Sequence, residues 1–163
     1  MKKITFLVIV AVAVVAFASS MTYEQQTIVP TLREFLQNRP FEALLSHIEI
    51  TYWGKLISVE TRGYYYFVEF LIRKATHFSG YGLIAVLFYF FYRKLTWRVP
   101  VILAIGSVFL IASLDELRQR FTPGRTGIFD DVLIDTAGAV TFLIVLHLFL
   151  GIKYLFTRGK DKS

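Results

Sequence analysis

The sequence contains no cysteine, so disulfide bonds, zinc–thiolate sites and cysteine nucleophiles are excluded. It is also poor in charge, because only 18% of its residues are Asp, Glu, Lys or Arg, against roughly a quarter in soluble domains. The 163 residues are instead 55% hydrophobic, and several apolar runs approach the length that a bilayer span needs. We therefore expect one small integral membrane domain, with no room for a separate soluble catalytic domain.

Sequence motifs of nucleophilic enzymes are absent as well. There is no Gly-x-Ser-x-Gly, no Ser-x-x-Lys and no glycine-rich loop of the kind that holds phosphate. A divalent metal is only weakly indicated, because no second histidine stands at helical spacing from His77. We expect no cofactor and no metal.

The apolar runs predict an all-α fold: a polytopic membrane helix bundle of about four transmembrane helices, with short amphipathic helices in the first external loop. The first run, residues 4–18, is either a retained anchor, which we favour, or a signal peptide that is cleaved after residue 18. The expected divisions are an anchor at 1–20, an external loop at 21–65, a membrane core at 66–150 and a basic tail at 151–163. Within the core, spans are expected over about 66–92, from Val99 onward, and over 131–150.

The segment between the first two spans is too polar to cross a membrane. Thr31, with Glu34 three residues later, predicts a helix start with a capping box. Apolar residues at i, i+3, i+4 and i+7 then predict an amphipathic helix; they are Phe41, Leu44, Leu45 and Ile48. A weak pattern over 50–59 fits an extended or interfacial stretch. We expect the segment to lie on the membrane surface or to cap the bundle.

Basic residues stand beside the apolar runs, where they set the orientation of a membrane protein. They are Lys2, Lys3, Arg93, Lys94, Arg98, Lys153, Arg158, Lys160 and Lys162. If these lie on one side, the only carboxylate there is Asp161. The pattern predicts a membrane protein with both termini in the cytoplasm, and the net charge of +6 does not indicate a nucleic-acid partner.

Ionisable residues are concentrated in residues 113–138, between the third and fourth spans. Such groups cost on the order of 2.5–3.5 kcal/mol each at membrane depth, so they indicate a functional site. The alternative is a loop that pairs its own charges and reaches the interface. The candidate residues of this stretch are Asp115, Glu116, Gln119, Arg125, Asp131 and Asp135.

Local spacing places several of these residues. Asp115 and Gln119 are one helical turn apart, so the third helix should continue through them. Residues 122–125, Thr-Pro-Gly-Arg, match a type II turn that would orient Arg125. The helix dipole favours Asp131 in a first turn, whereas Asp135 lies one turn deeper.

The second span carries three more candidates on one helical face, namely Lys74, His77 and Tyr81. His77 is either a structural hydrogen-bonding residue or an acid–base group. Lys74 either reaches lipid phosphates or holds an anion. Arg125 either closes an ion pair with Glu116 or Asp131, or clamps a phosphate or carboxylate through its planar guanidinium.

Three segments together resemble the VanZ-like family of small bacterial membrane proteins. They are residues 74–83, similar to the family's Lys-x-x-His-x-x-x-Tyr pattern; 115–125, similar to Asp-Glu-x-x-Gln…Arg; and 131–138, similar to Asp-x-x-x-Asn-x-x-Gly. The resemblance covers about residues 66–150. Two positions depart from it: Asp135 stands where the family usually has Asn, and Phe142 stands where a second Gly is common.

The resemblance implies about four spans in a bacterial inner membrane and a link to resistance to teicoplanin-type glycopeptides. We expect an outward-facing site that binds or modifies an anionic envelope lipid or lipopeptide, with a lipid-linked ligand or a lipoglycopeptide as partner. His77, Asp115 and Glu116 are the acid–base candidates. The ligand-binding candidates are Lys74, Tyr81, Gln119, Arg125, Asp131 and Asp135. The alternative is a non-catalytic protein whose polar cluster only locks the helices together and which acts through a partner.

Overall fold

The fold is a bundle of four long helices, seen in a computed structural model that describes residues 1–95 and 98–160. The long helices are α1 (Lys2–Ser19), α6 (Tyr64–Lys94), α7 (Pro100–Gln119) and α8 (Phe129–Lys160). All four contain a segment long and apolar enough to cross a membrane, which confirms the predicted fold class. Asp161 and Lys162, used above to predict orientation, lie outside the described residues.

Helices α6, α7 and α8 form the packed centre, where small residues let the backbones approach one another. Fully buried alanines mark these interfaces, namely Ala85, Ala104, Ala112 and Ala139. At Gly138 a Cβ atom would collide with the carbonyl oxygen of Phe78 on α6. The interface between α6 and α8 therefore depends on a glycine at position 138.

Phe142 of α8 stands where the VanZ-like pattern commonly has glycine, and α6 accommodates its larger side chain. A Cβ atom on Gly82 of α6 would lie only 2.5 Å from the Phe142 ring. The large residue on α8 thus faces a glycine on α6, and the two helices stay close in spite of the substitution.

Helix α1 is mostly exposed, since it packs on one side only. Its C-terminal end is held by side chains from the rest of the chain. Arg118 Nη1 donates to the Ala16 carbonyl at 2.5 Å, and Gln26 Nε2 donates to the Ala18 carbonyl. The contacts give α1 a defined place beside α6 and α7.

Residues 21–63 cover the end of the bundle where α1 and α7 finish and α6 and α8 begin, called here the polar end. The segment consists of α2 (Tyr23–Gln26), α3 (Val29–Phe35), α4 (Glu42–Leu45), β1 (Ile50–Tyr52), β2 (Lys55–Ile57) and α5 (Val59–Arg62). The two strands form an antiparallel hairpin. Trp53 and Gly54 both have positive φ, as a type I′ turn requires.

Two local predictions in this segment are wrong. The capping box at Thr31 does not form, because α3 begins at Val29 with Pro30 in its first turn, a position that proline favours. Thr31 is therefore already inside the helix. The amphipathic helix predicted from Phe41 is only one turn long, Glu42–Leu45. Capping boxes form instead at Thr22 and Ser58.

Candidate functional site

All nine candidate residues meet at the polar end. Helix α6 contributes Lys74, His77 and Tyr81; α7 contributes Asp115, Glu116 and Gln119; the connection contributes Arg125; and α8 contributes Asp131 and Asp135. From the rise of an α-helix, Asp115 lies about 6 Å from the end of α7 and Asp135 about 9 Å from the start of α8. The cluster is therefore sunk below the helix ends, at a depth that suits the outer part of one bilayer leaflet.

Gln119 connects the two carboxylates of α7. Its Nε2 atom donates to Asp115 Oδ2 and Glu116 Oε1, both at 3.0 Å. The second Glu116 oxygen accepts from the backbone N–H of Ile128 at 2.8 Å. Gly127 allows this close approach, because a Cβ there would collide with the Glu116 carbonyl. The three side chains are buried, so the connection is held firmly against α7.

Arg125 is held by two neutral side chains rather than by a carboxylate. Its Nε and Nη2 atoms donate to Gln119 Oε1 at 3.2 and 2.9 Å, and Nη1 donates to Gln26 Oε1 at 2.5 Å. The predicted turn that orients it is formed, with Arg125 N bonded to the Thr122 carbonyl at 3.1 Å and Gly124 at φ +72°. Of the two alternatives for Arg125, the ion pair with Glu116 or Asp131 is not among the ion pairs of the described residues.

Burial lowers the pKa of the Arg125 guanidinium, although an arginine stays charged at neutral pH. The site therefore contains a half-buried positive charge whose direct partners are amide oxygens.

Lys74 makes a different kind of contact, because it faces a carboxylate inside the cluster. Its Nζ atom pairs with Asp131 Oδ1 and lies 3.0 Å from the Tyr52 hydroxyl. Tyr52 donates to the same carboxylate, and its burial together with this bond raises the pKa of the phenol. The backbone N–H of Trp53 donates to Asp130 at 3.0 Å. These bonds fasten the hairpin to the start of α8.

His77 faces Asp135 rather than Asp115 or Glu116, the other two residues predicted with it as acid–base groups. His77 Nδ1 lies 3.4 Å from Asp135 Oδ1, and the Asp135 side chain is fully buried. Within the described residues, His77 Nδ1, both Asp135 carboxylate oxygens and the Tyr81 hydroxyl make no hydrogen bond of good geometry. Buried polar groups normally have partners, so these atoms have unused capacity to bond water or a polar ligand atom.

Two cavities meet at these side chains. The larger, of about 440 Å³, lies between α1, α6 and α7; the smaller, of about 180 Å³, lies beneath the 21–63 segment. Both are lined by Arg73, His77, Gln119 and Arg125. The side chain of His77 is 30% exposed, and His77 lines both cavities.

Arg73 belongs to the site although it was not among the residues predicted from the sequence. It lies 3.8 Å from Glu69 and 3.3 Å from Gln26, and it lines both cavities. Its spacing was a usable signal, because Glu69, Arg73, His77 and Tyr81 recur every four residues along one stripe of α6. Glu69 itself is structural: it accepts from the Tyr23 hydroxyl at 2.7 Å and from the Ile28 N–H at 2.8 Å.

The described residues contain no group of three or more His, Asp or Glu side chains arranged to hold a metal ion. The chemistry that the arrangement can support is electrostatic and acid–base. Two guanidinium groups can hold an anion, and a histidine oriented by a buried carboxylate can exchange a proton.

Comparison with known proteins assigns the chain to a family. The VanZ/LLP1 family model matches residues 4–150, nearly the whole chain. No curated protein and no solved structure matches the chain. Since the match runs from the first apolar helix through all three motif segments, the chain belongs to the VanZ/LLP1 family.

Proposed function

We propose that this protein binds the anionic group of a cell-envelope ligand at the polar end. The observation that carries the proposal is the environment of Arg125, a half-buried guanidinium whose hydrogen-bond acceptors are two glutamine amides. A buried charge is stable only when it is paired or well solvated. Because Arg125 and Arg73 line the same two cavities, a phosphate or carboxylate placed there would contact both.

His77 is the group that would exchange a proton with this ligand. Asp135 lies against Nδ1, which orients the ring and leaves its opposite side toward the cavities. Asp115 and Glu116, proposed from the sequence as acid–base groups, instead bond the Gln119 amide. Their role in this proposal is to position Gln119, which in turn holds Arg125.

A structural role for the polar cluster is the second candidate. Two contacts favour it: the Lys74–Asp131–Tyr52 group and the bonds from Glu69 to Tyr23 and Ile28. Both connect the 21–63 segment to the bundle. Under this alternative the cluster has no ligand of its own, and the protein acts through a partner.

The proposal places the polar end outside the inner membrane and both termini in the cytoplasm. The chain lacks cysteine, so single cysteines report orientation directly. In intact cells, a membrane-impermeant maleimide should label Asn38→Cys, whereas Lys94→Cys should react only after permeabilisation. Both positions are exposed, so burial does not confuse the result. The reverse labelling pattern would place the site in the cytoplasm and exclude an external ligand.

Family membership suggests a link to teicoplanin-type glycopeptide resistance, and this can be tested in a susceptible Gram-positive host. The protein should raise the teicoplanin concentration that the host tolerates. His77→Gln, Asp115→Asn and Arg125→Gln should return tolerance to the empty-vector level, because each removes a cavity-lining group or its support. Immunoblotting of membranes must show equal abundance of all four proteins.

The outcomes of this test distinguish ligand binding at the polar end from a structural role of the polar cluster. Loss of protection at equal abundance supports a working site. Protection that follows only the amount of folded protein supports the structural role. If the wild-type protein gives no protection, the resistance phenotype does not extend to this chain.

A further inference from the structure

We infer that the ligand is an anionic membrane lipid, whose hydrocarbon chain occupies the larger cavity and which enters from the bilayer between α1 and α6. The inference rests on the anion site proposed above and names the class of molecule that the site receives.

The larger cavity has an apolar side and a polar side. Its apolar side is formed by α1 and α6 and is lined by Val14, Val15, Ala18, Ile72 and Gly80. Ile72, Thr76 and Gly80 recur every four residues, so they form a stripe beside that of Arg73 and His77. One helix, α6, therefore presents a mainly apolar stripe and a polar stripe, which contains Arg73, to the same cavity.

The apolar side borders the surface that faces lipid. Val14 and Ile72 are among the exposed hydrophobic residues of their spans, and both line the cavity. The apolar side of this 440 Å³ cavity holds water poorly, because its lining offers water few partners. Left empty, this side would forfeit dispersion contacts. A hydrocarbon chain from the adjacent leaflet would fill this space without needing hydrogen-bond partners, and it would restore the dispersion contacts.

The smaller cavity suits the head group. It is lined by four Lys or Arg side chains and only two carboxylates, namely Arg62, Arg73, Lys74, Arg125, Glu69 and Asp131. Its volume of 180 Å³ corresponds to about six water molecules, enough for a phosphate group. A soluble anion would use this cavity alone, whereas a lipid would use both, with its phosphate at the shared residues Arg73 and Arg125.

Gly80 offers a way to fill the chain cavity without touching the anion site. A Cβ added at Gly80 meets no atom within 4 Å, so Gly80→Leu should fold normally and project into the cavity. Gly106 on α7 is the matched control, because its Cβ also meets nothing within 4 Å and it does not line the cavity. Both substitutions replace a helical glycine with a strong helix former.

The experiment uses the full-length protein in phosphatidylcholine nanodiscs and a dodecyl phosphate that carries a diazirine in its chain. After photolysis, mass spectrometry should locate the adducts on the cavity-lining peptides of α1 and α6. Labelling of Gly80→Leu should fall about tenfold or more, whereas Gly106→Leu should label like the wild type. In parallel, calorimetry should show that all three proteins bind inorganic phosphate equally.

The outcomes distinguish the chain site from the anion site. If inorganic phosphate binds but the label spreads over all four spans, or Gly80→Leu labels fully, the ligand is not a lipid in this cavity and the anion site stands. If dodecyl phosphate labels no more than a dodecyl alcohol with the same diazirine, the head group is not recognised. If the wild type binds no phosphate at all, the proposed anion site fails and this inference fails with it.

Discussion

Replacement of Arg125 by glutamine is expected to weaken the binding of inorganic phosphate to the purified protein by about tenfold to a hundredfold. A hydrogen bond to a charged group contributes about 1.5–3 kcal/mol, and about 1.4 kcal/mol corresponds to a factor of ten. Arg125→Lys should recover only part of the loss, because one ammonium cannot reproduce the fork that spans Gln119 and Gln26. Titration calorimetry in a neutral detergent at low salt measures both variants.

Arg93→Gln provides the control for loss of one positive charge. Arg93 lies at the opposite end of α6, where it donates to the Tyr89 hydroxyl at 3.3 Å, and it lines neither cavity. The phosphate affinity of Arg93→Gln should equal that of the wild type. Equal affinity in Arg125→Gln would show that Arg125 is not the anion-binding group, and its half-buried position beside two glutamine amides would then need another explanation.

Much of the fold could be predicted because its signals are local. The apolar runs are continuous along the chain, and the helix period of α7 could be followed from its apolar part through Asp115 to Gln119. Pro123 and Gly124 determine their turn through their own backbone preferences. The candidate residues were found for the same reason, since ionisable groups inside apolar runs stand out.

The pairings within the site could not be predicted, because they depend on how the helices pack. Asp115, Glu116 and Asp135 are each possible partners of His77 in sequence, and only the packing of α6 against α8 brings Asp135 to it. Gln26 and Tyr52 reach the cluster from positions 99 and 79 residues away from their partners, Arg125 and Asp131. No local pattern marks either residue. The folding of residues 21–63 over the polar end decides their contacts.

Lys74→Met is expected to lower the free energy of unfolding by about 3 kcal/mol. Removal of one partner from a buried ion pair costs about 3–5 kcal/mol, because the remaining charge stays buried without its counterion. The Lys74 and Asp131 side chains are 22% and 12% exposed, which favours the lower end of that range. The variant also loses the Lys74 contact with Tyr52, so the attachment of the hairpin to α8 depends on the remaining bonds from Tyr52 and Trp53. Denaturant titration in mixed micelles, followed by circular dichroism, measures the change.

Two further variants test whether the lower unfolding free energy of Lys74→Met arises from the unpaired charge of Asp131. Arg39→Met removes an ion pair with Glu42 whose side chains are 53% and 38% exposed, and exposed pairs contribute less than about 1 kcal/mol. Lys74→Met combined with Asp131→Asn should recover most of the stability, because the carboxylate that lacked a partner is then neutral.

If Lys74→Met keeps full stability but loses phosphate binding, the Lys74 charge serves the ligand rather than Asp131. A stable double variant that still binds phosphate would instead assign Lys74 and Asp131 to the attachment of the hairpin, and the anion site to the two arginines.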